Sequence, residues 1–201
     1  MGQRLVISIS KNNNLIANAY YHWSGYSTDA ANACDDIMRN INSIPECFTD
    51  LQKAVAMLVV TGAGIDTAST MIDEIKTFPR TNGRNDGIIS TTEKEMEDSK
   101  KWSEADVDID LDTETISFQV INTVSEDNNE LKEIYDNDFL DNIEENCYDA
   151  PKELDITNGV ICCKFKDFSL LSNLITEMYK NDKWLRYKDE YNQDHYMSLI
   201  E

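Results

Sequence analysis

Basic residues are scarce in this chain of 201 amino acids, which has 18 Lys and Arg against 38 Asp and Glu and a formal net charge of −20. Proteins that bind nucleic acids rely on Lys and Arg to displace counterions from the phosphates. A strongly acidic chain repels DNA, RNA and anionic membrane surfaces, and it attracts cations and basic proteins. The composition therefore predicts neither a direct nucleic-acid partner nor a membrane partner.

Long apolar runs and a targeting segment are also missing. The best apolar run, 54–60, has seven residues, whereas a membrane-spanning helix needs about 20. Only six residues separate Arg4 from Lys11, which is too short for the apolar region of a secretory signal peptide. The five cysteines are odd in number and form no C-x-x-C pair. These features predict a cytoplasmic protein with free thiols.

Motifs that bind cofactors or metals are absent from a sequence with seven glycines. Gly62 and Gly64 begin a G-x-G-x-x-G pattern, but Thr67 takes the place of the third glycine. The D-x-D-x-D run that begins at Asp106 has the spacing of an EF-hand start, but it lacks the glycine and the bidentate glutamate of that loop. We therefore expect no cofactor and no metal site, and the sequence favours a protein without catalytic activity.

Alternating apolar and polar residues predict two β-hairpins. Residues 3–9 alternate as a strand does, and residues 15–23 follow a run of asparagines, which tolerate the left-handed backbone of a tight turn. Within 105–122, the apolar residues change from odd to even positions at Asp112 and Thr113. A two-residue turn at this point keeps both apolar sets on one face of the hairpin.

Helical spacing and capping residues predict several helices. Thr49 and Gln52 form a capping box, so a helix begins near Asp50, and Gly62 suits its C-terminal end. The other predicted helices are 27–42, 66–78, 170–178 and one around Trp184, Tyr187 and Tyr191, and further strands are predicted at 87–91 and 159–165. The sequence therefore predicts a single α+β domain, 1–201, in which a mostly antiparallel sheet is packed by several helices.

Acidic side chains are concentrated in the segment 93–155, which has 22 acidic and 5 basic residues. The partner-binding candidates in this segment are Asp106, Asp108, Asp110, Asp112, Glu114, Glu144 and Glu145. Alternate residues of a strand lie about 6.6 to 6.8 Å apart on one face, whereas each DNA strand has one charge per roughly 3.4 Å. The acidic stripe alone is therefore too sparse to imitate DNA. A solvated surface and a surface that docks on a basic partner both remain open, and the missing EF-hand residues argue against a metal site.

The densest aromatic cluster, 19–26, contains Tyr20, His22 and Trp23. In a strand, Tyr20 and His22 share one face while Trp23 lies on the other. Farther along the chain, Arg80 and Arg84 bracket an Asn/Gly loop. The guanidinium groups of the two arginines and the backbone amides of the loop suit a phosphate or carboxylate. These five residues are candidates for binding a small anionic ligand such as a nucleotide. The alternatives are a strand that packs its rings on the core and a solvent-exposed turn.

Four segments, GQRLVISI, LIANAYYHWSGYS, NGRNDGII and DIDLDTETI, resemble proteins of uncharacterised function carried by bacteriophages and their bacterial hosts. The resemblance extends over the first two thirds of the chain, and it implies no particular fold, activity or residue role. In its acidity and asparagine content, the chain is also similar to phage inhibitors of host defence, some of which mimic DNA.

From these observations we expect an acidic interaction or inhibitor protein that docks on a basic surface, such as that of a host nucleic-acid enzyme or defence protein. The alternative is a small-molecule binding protein or enzyme, with a nucleotide-like ligand near the aromatic cluster. A purely structural or assembly role is the third hypothesis. The three hypotheses make different predictions. Docking on a basic surface predicts salt-dependent binding, a ligand site predicts stabilisation by nucleotides, and an assembly role predicts a size that depends on concentration.

Overall fold

The computed structural model describes residues 4–22, 24–65, 87–119, 121–125, 143, 145–157 and 159–199. In chain order, the strands are β1 (Leu5–Lys11), β2 (Asn14–Tyr21), β3 (Gly64–Ile65), β4 (Gly87–Ser90), β5 (Ala105–Asp110), β6 (Thr115–Gln119), β7 (Ile121–Ser125), β8 (Cys147–Asp149), β9 (Asp155–Thr157), β10 (Val160–Lys164), β11 (Trp184–Lys188) and β12 (Asp194–Leu199). The α-helices whose bounds fall in the described residues are α1 (Ser27–Asn40), α2 (Asp50–Val59), α3 (Glu93–Lys100) and α4 (Phe168–Asn181). The predicted α+β fold is confirmed.

The strands form two sheets. The main sheet has eight strands in the order β3-β4-β2-β1-β5-β6-β10-β9, and the second sheet has four in the order β7-β12-β11-β8. Neighbouring strands are mostly antiparallel, as predicted, and the parallel pairs within the described residues are β1–β5, β3–β4 and β8–β11. Strand β6 ends at Gln119 in the main sheet and β7 begins at Ile121 in the second, so the chain passes from one sheet to the other at this point.

The first predicted hairpin is present. Strands β1 and β2 pair through a tight turn in which Asn12 and Asn13 have φ angles of 52° and 58°. Asparagine tolerates this left-handed backbone better than most residues, and a turn with two positive φ angles matches the twist of the flanking strands. The asparagine run therefore determines where the chain reverses.

The hydrophobic core lies between the main sheet and α1, α2 and α4, on the side of the sheet that we call the inner face. Strand alternation directs Leu5, Ile7 and Ile9 to this face, where each is at most 1% exposed. Other members of the same core cluster include Tyr21, Ile37, Met57, Val107, Phe118, Ile161, Leu171 and Ile175. Each large aliphatic or aromatic side chain buried here contributes about 1.5 to 3 kcal/mol to folding.

The capping box predicted at the start of α2 is confirmed. The Gln52 backbone N–H donates to the Thr49 hydroxyl at 3.3 Å, and the Gln52 side-chain oxygen accepts the Thr49 backbone N–H at 2.9 Å. Gly62 follows the helix with a φ of 91°, as expected of a C-terminal glycine. The predicted helix 66–78 lies outside the described residues. No helix in the described part of the chain is long and apolar enough to span a membrane.

The second predicted hairpin is formed by β5 and β6, but its turn is longer than predicted. Asp110 pairs with Thr115, so the loop consists of 111–114 instead of two residues. A two-residue turn needs positive φ angles that a β-branched residue such as Thr113 disfavours, and in the longer loop Glu114 takes the positive φ, 51°. Val107 and Ile109 of β5 and Ile116 and Phe118 of β6 share the inner face, as predicted, and Val120 lies outside the described residues.

Residues 184–199 form a β-hairpin, and the predicted last helix is wrong. Strands β11 and β12 pair antiparallel, and Asn192 in the turn between them has a φ of 64°. The prediction used the spacing of Trp184, Tyr187 and Tyr191, which is typical of one helix face. Tyr191 is 76% exposed in the turn, and β11 alternates buried and half-buried residues with the period of a strand.

Candidate functional site

The outer face of the main sheet points away from α1, α2 and α4. Asp106, Asp108 and Asp110 lie on it, because alternate residues of β5 are buried on the inner face and half-buried on the outer face. Opposite Asp106 and Asp108 on β6 are Gln119 and Ser117, so these two aspartates face no like charge across the hairpin. The structure therefore places the three aspartates of the acidic stripe side by side on one surface.

A continuous row of polar side chains, the polar row, crosses the outer face. Each member is aligned with the next across neighbouring strands, from β4 to β9, and the members are Ser90, Asn18, Ser8, Asp108, Ser117, Cys162 and Asp155. The Cys162 thiol lies 3.3 Å from the Ser117 hydroxyl. Ser90, Asn18 and Ser8 are buried, whereas the members from Asp108 to Asp155 are half-buried or exposed. A sheet face covered by protein normally presents apolar side chains, so the part of the row from Asp108 to Asp155 suits contact with polar groups or water.

Helix α3 covers one end of the polar row. Its buried side chain is Met96, and the Met96 backbone carbonyl accepts a hydrogen bond from Asn18 Nδ2 at 3.0 Å. Lys100 Nζ lies 3.0 Å from Asp108 Oδ1. Polar contacts and one apolar side chain therefore hold α3 on the sheet.

Asp106 lies where the acidic stripe is most buried. Its Oδ2 accepts the Ser103 hydroxyl at 2.8 Å, whereas its Oδ1 is buried and has no hydrogen-bond partner among the described residues. Burial raises the pKa of the Asp106 carboxyl, and the Ser103 hydrogen bond and Lys100 offset part of this effect. Ser8 Oγ and Asn18 Oδ1 are also buried with no hydrogen-bond partner in the part of the chain that the structure describes. A negative charge at Asp106 is therefore destabilised by its surroundings.

The remaining acidic residues of the hairpin organise or flank its turn. Asp110 Oδ1 accepts the backbone N–H of Asp112 at 2.8 Å and that of Thr113 at 3.4 Å. The Asp112 hydrogen bond is the largest cause of the lowered pKa of Asp110. Asp112 Oδ2 accepts the backbone N–H of Asn12 in the first hairpin, and Glu114 is exposed. The carboxylates of Asp110 and Asp112 thus stabilise the loop itself.

The last two predicted partner-binding residues are remote in sequence from the stripe. Glu145 is exposed just before β8 of the second sheet, and Glu144 lies outside the described residues. Asp155, which was not among the candidates, is exposed at the β9 end of the polar row. Sequence alternation could not identify it, because Asp155 reaches the outer face through strand pairing and not through its neighbours in the chain.

A groove of about 480 Å³ lies between α3 and the sheet, at the end of the outer face that α3 covers. The sheet side is formed by Arg4, Tyr20, His22 and Ile88, and the opposite wall by Glu95, Asp98, Ser99 and Trp102. The Tyr20 hydroxyl lies 3.1 Å from His22 Nδ1. Tyr20 and His22 thus share one face, as their spacing predicts, and they line a groove together.

Arg4 and Trp102, which the sequence did not single out, meet at the groove. The Arg4 guanidinium carbon lies 5.8 Å from the centre of the Trp102 ring, within the range of a cation–π contact. The Arg4 backbone N–H donates to Glu104 at 3.0 Å. Strand alternation places Arg4 on the same face as Tyr20, but nothing in the local pattern indicates that Trp102 lies beside it.

Three predicted ligand-binding residues, Trp23, Arg80 and Arg84, lie outside the described residues. Within the described ranges, no group of three or more His, Cys, Asp or Glu side chains is arranged to hold a metal ion. Of the ligand-binding candidates, the structure therefore brings together Tyr20 and His22.

Comparisons with protein-family models, with characterised proteins and with solved structures find no match for this chain. The resemblance to phage-borne proteins stays a prediction. The features that bear on function are the aspartates of the outer face and the groove between this face and α3.

Proposed function

We propose that this chain is an acidic interaction protein whose outer face docks on a basic surface of a partner protein. The observation that carries the proposal is the placement of Asp106, Asp108 and Asp110 side by side on the sheet face opposite α1, α2 and α4. Asp155 adds an exposed carboxylate at the far end of the polar row. Hydroxyl and thiol groups between these carboxylates supply hydrogen-bonding partners for lysine and arginine side chains.

The ion pair between Asp108 and Lys100 is compatible with docking. The two side chains are 48% and 39% exposed, and an exposed ion pair contributes about 0 to 1 kcal/mol. A lysine or arginine of the partner replaces Lys100 at little cost. The net charge of −20 accelerates the encounter with a basic protein, and salt slows it by screening the charges.

Nucleic-acid enzymes and defence proteins of a host cell are the partner class that we propose. Such proteins present basic surfaces because they bind phosphates. The stripe is too sparse to reproduce the phosphate spacing of DNA, so recognition rests on charge and on the polar row together. The similarity to phage inhibitors supports an antagonist role, and the free cysteine thiols suit action in the reducing cytoplasm.

Capture from host lysate followed by kinetics tests this proposal. The chain is immobilised, and we identify the proteins that it retains at low salt and releases at high salt. The association rate of each purified candidate is then measured across ionic strength. The double variant Asp108→Asn/Asp155→Asn removes two charges from the outer face. The control, Glu177→Gln/Asp182→Asn, removes two exposed charges at the end of α4.

The expected result is an association rate that falls steeply with salt and is lowered by the outer-face variant more than by the control. A rate that does not depend on salt contradicts charge-driven docking. Equal effects of the two double variants contradict the assignment of the outer face, since they show that only the total charge matters. Failure to capture any basic protein argues against the proposal as a whole.

A further inference from the structure

The groove between α3 and the sheet is lined by side chains that the proposed docking on a basic partner does not use. Tyr20 lies on the outer face of β2, and continuing the β1–β2 register by one residue beyond Leu5 and Tyr21 places Arg4 opposite His22. A guanidinium, an imidazole and a phenol hydroxyl therefore converge at one end of the sheet. All three side chains line the groove.

Arg4 differs from the other arginines that the structure describes. Arg39 Nη2 lies 3.8 Å from Asp35 Oδ2, and Arg186 Nη2 lies 2.6 Å from Asp149 Oδ1. The Arg4 guanidinium has no carboxylate partner among the described residues and lies over Trp102 instead. In a chain with 38 acidic residues, a guanidinium that lines a groove and pairs with no described carboxylate is available to an anionic ligand.

Trp102 adds a planar apolar surface to this cationic end. Its side chain is 63% exposed, although aromatic rings of this size are usually well buried. The Trp102 backbone N–H donates to the Ser99 carbonyl at 3.2 Å, which fixes the residue to the end of α3. The exposed ring, which contacts the Arg4 guanidinium on the sheet side, offers a stacking surface to another aromatic ring.

The α3 wall of the groove presents hydrogen-bond acceptors. Glu95 and Asp98 line it together with the Ser99 side chain. Asp98 Oδ1 accepts from Lys101 Nζ at 2.8 Å, and Glu95 Oε2 accepts the Thr92 hydroxyl at 2.8 Å, so both carboxylates are held in place. They repel an anion but accept hydrogen bonds from hydroxyl or amino groups.

We infer that this groove binds a nucleoside monophosphate. Its base stacks on Trp102, its phosphate lies at Arg4 beside His22, and its sugar hydroxyls donate to the carboxylates of α3. The volume of about 480 Å³ falls within the range of about 300 to 1,000 Å³ typical of small-molecule sites. This ligand site lies on the same outer face as the docking residues but uses different side chains, Arg4 and Trp102 instead of Asp108 and Asp155, and neither proposal depends on the other.

Titration calorimetry with AMP, adenosine and ribose 5-phosphate tests the inference. AMP uses both Arg4 and Trp102, whereas each fragment uses one of them, so we expect AMP to bind about tenfold or more tightly than either fragment. Arg4→Gln and Trp102→Leu each weaken AMP binding by about tenfold. Arg39→Gln, which removes an arginine from α1, leaves the affinity unchanged.

The inference is overturned if AMP, GMP, CMP and UMP all bind with dissociation constants above about 1 mM. It is also overturned if Arg39→Gln weakens AMP binding as much as Arg4→Gln does, or if adenosine or ribose 5-phosphate binds as tightly as AMP. Circular dichroism shows whether each variant folds. Trp102→Phe keeps an aromatic ring and is expected to retain most of the affinity, so it separates lost stacking from lost structure. Variants that lose AMP binding keep salt-dependent capture of basic proteins, which distinguishes failure of this inference from failure of the docking proposal.

Discussion

Gly87 lies against the ring of Tyr21 where β4 pairs with β2. A Cβ atom at Gly87 would be 2.4 Å from Cε1 of Tyr21 and 2.9 Å from Cβ of Ala63, closer than carbon atoms approach in proteins. The ring cannot move away easily, because it is 1% exposed and its hydroxyl is hydrogen-bonded to Thr61. The absence of a side chain at Gly87 is therefore what allows β4 to pair with β2.

Gly87→Ala should lower the free energy of unfolding by about 1 to 3 kcal/mol, because the added methyl overpacks the site. Urea denaturation measures the change. In a Tyr21→Ala background, where the ring is gone, the same glycine substitution should cost much less. An unchanged cost in that background would contradict the contact as the cause.

Asp189 holds the turn between β11 and β12. Its Oδ1 accepts the backbone N–H groups of Gln193 and Tyr191 at 2.9 Å, and its Oδ2 lies 3.1 Å from His195 Nε2. The Gln193 hydrogen bond is the largest cause of the lowered pKa of Asp189. Because the pKa is lower in the folded state than its unfolded value of about 3.9, the charged carboxylate stabilises the fold above that pH.

Asp189→Asn should therefore lower the thermal stability at pH 7, and the difference from the unsubstituted chain should shrink as the pH falls from about 3.9 through the native pKa. Thermal unfolding monitored by circular dichroism at several pH values checks this. Glu190→Gln, a change at an exposed carboxylate in the same turn, should have little effect. A loss for Asp189→Asn that is the same at every pH would show that the carboxylate charge plays no part.

Asp106 should show the opposite pH dependence. Burial raises its pKa in the folded state, so its ionisation destabilises the fold as the pH rises from the unfolded pKa of about 3.9 through the native value. Asp106→Asn should increase the free energy of unfolding by about 1 kcal/mol at pH 7, the low end of the cost of an unpaired buried group. Below the unfolded pKa the variant should gain nothing. Urea denaturation at pH 3 and pH 7 distinguishes this from a destabilising loss of the Ser103 hydrogen bond.

The thiols of Cys163 and Cys47 should differ strongly in reactivity. Cys163 is 3% exposed, and burial raises its pKa to about 12, so about one molecule in ten thousand carries the thiolate at pH 8. Cys47 is exposed. Iodoacetamide labelling followed by mass spectrometry should modify Cys47 first and Cys163 after unfolding in urea. Equal labelling rates in the folded protein would contradict the buried position of Cys163.

Much of the fold is predictable from local patterns. The asparagine turn, the capping box at Thr49 and the alternation in β5 and β6 are each contained within a few residues, and all three are present in the structure. The last hairpin was missed because the spacing of Trp184, Tyr187 and Tyr191 matches one helix face. Alternate residues of β11 are buried because they pack against other parts of the fold. Such packing is a property of the tertiary structure and leaves no signal in the local sequence.

The candidate sites were predictable in part. The position of Asp106, Asp108 and Asp110 on one face follows from strand geometry. The burial of Asp106 depends on α3 and the Ser103 hydroxyl, and the contact between Arg4 and Trp102 joins residues far apart in the chain. Such contacts depend on the parallel pairing of β1 with β5, for which neither strand carries a local signal.

The sequence by itself determined the acidity of the chain, its two first hairpins and the face on which the residues of those hairpins lie, because charge and side-chain alternation are properties of the chain and of local backbone geometry. The tertiary structure alone decided which end of the outer face α3 covers, which carboxylates remain exposed and where Arg4 meets Trp102. These outcomes depend on strand order and on packing between segments about a hundred residues apart, where loop closure and core burial outweigh any local preference.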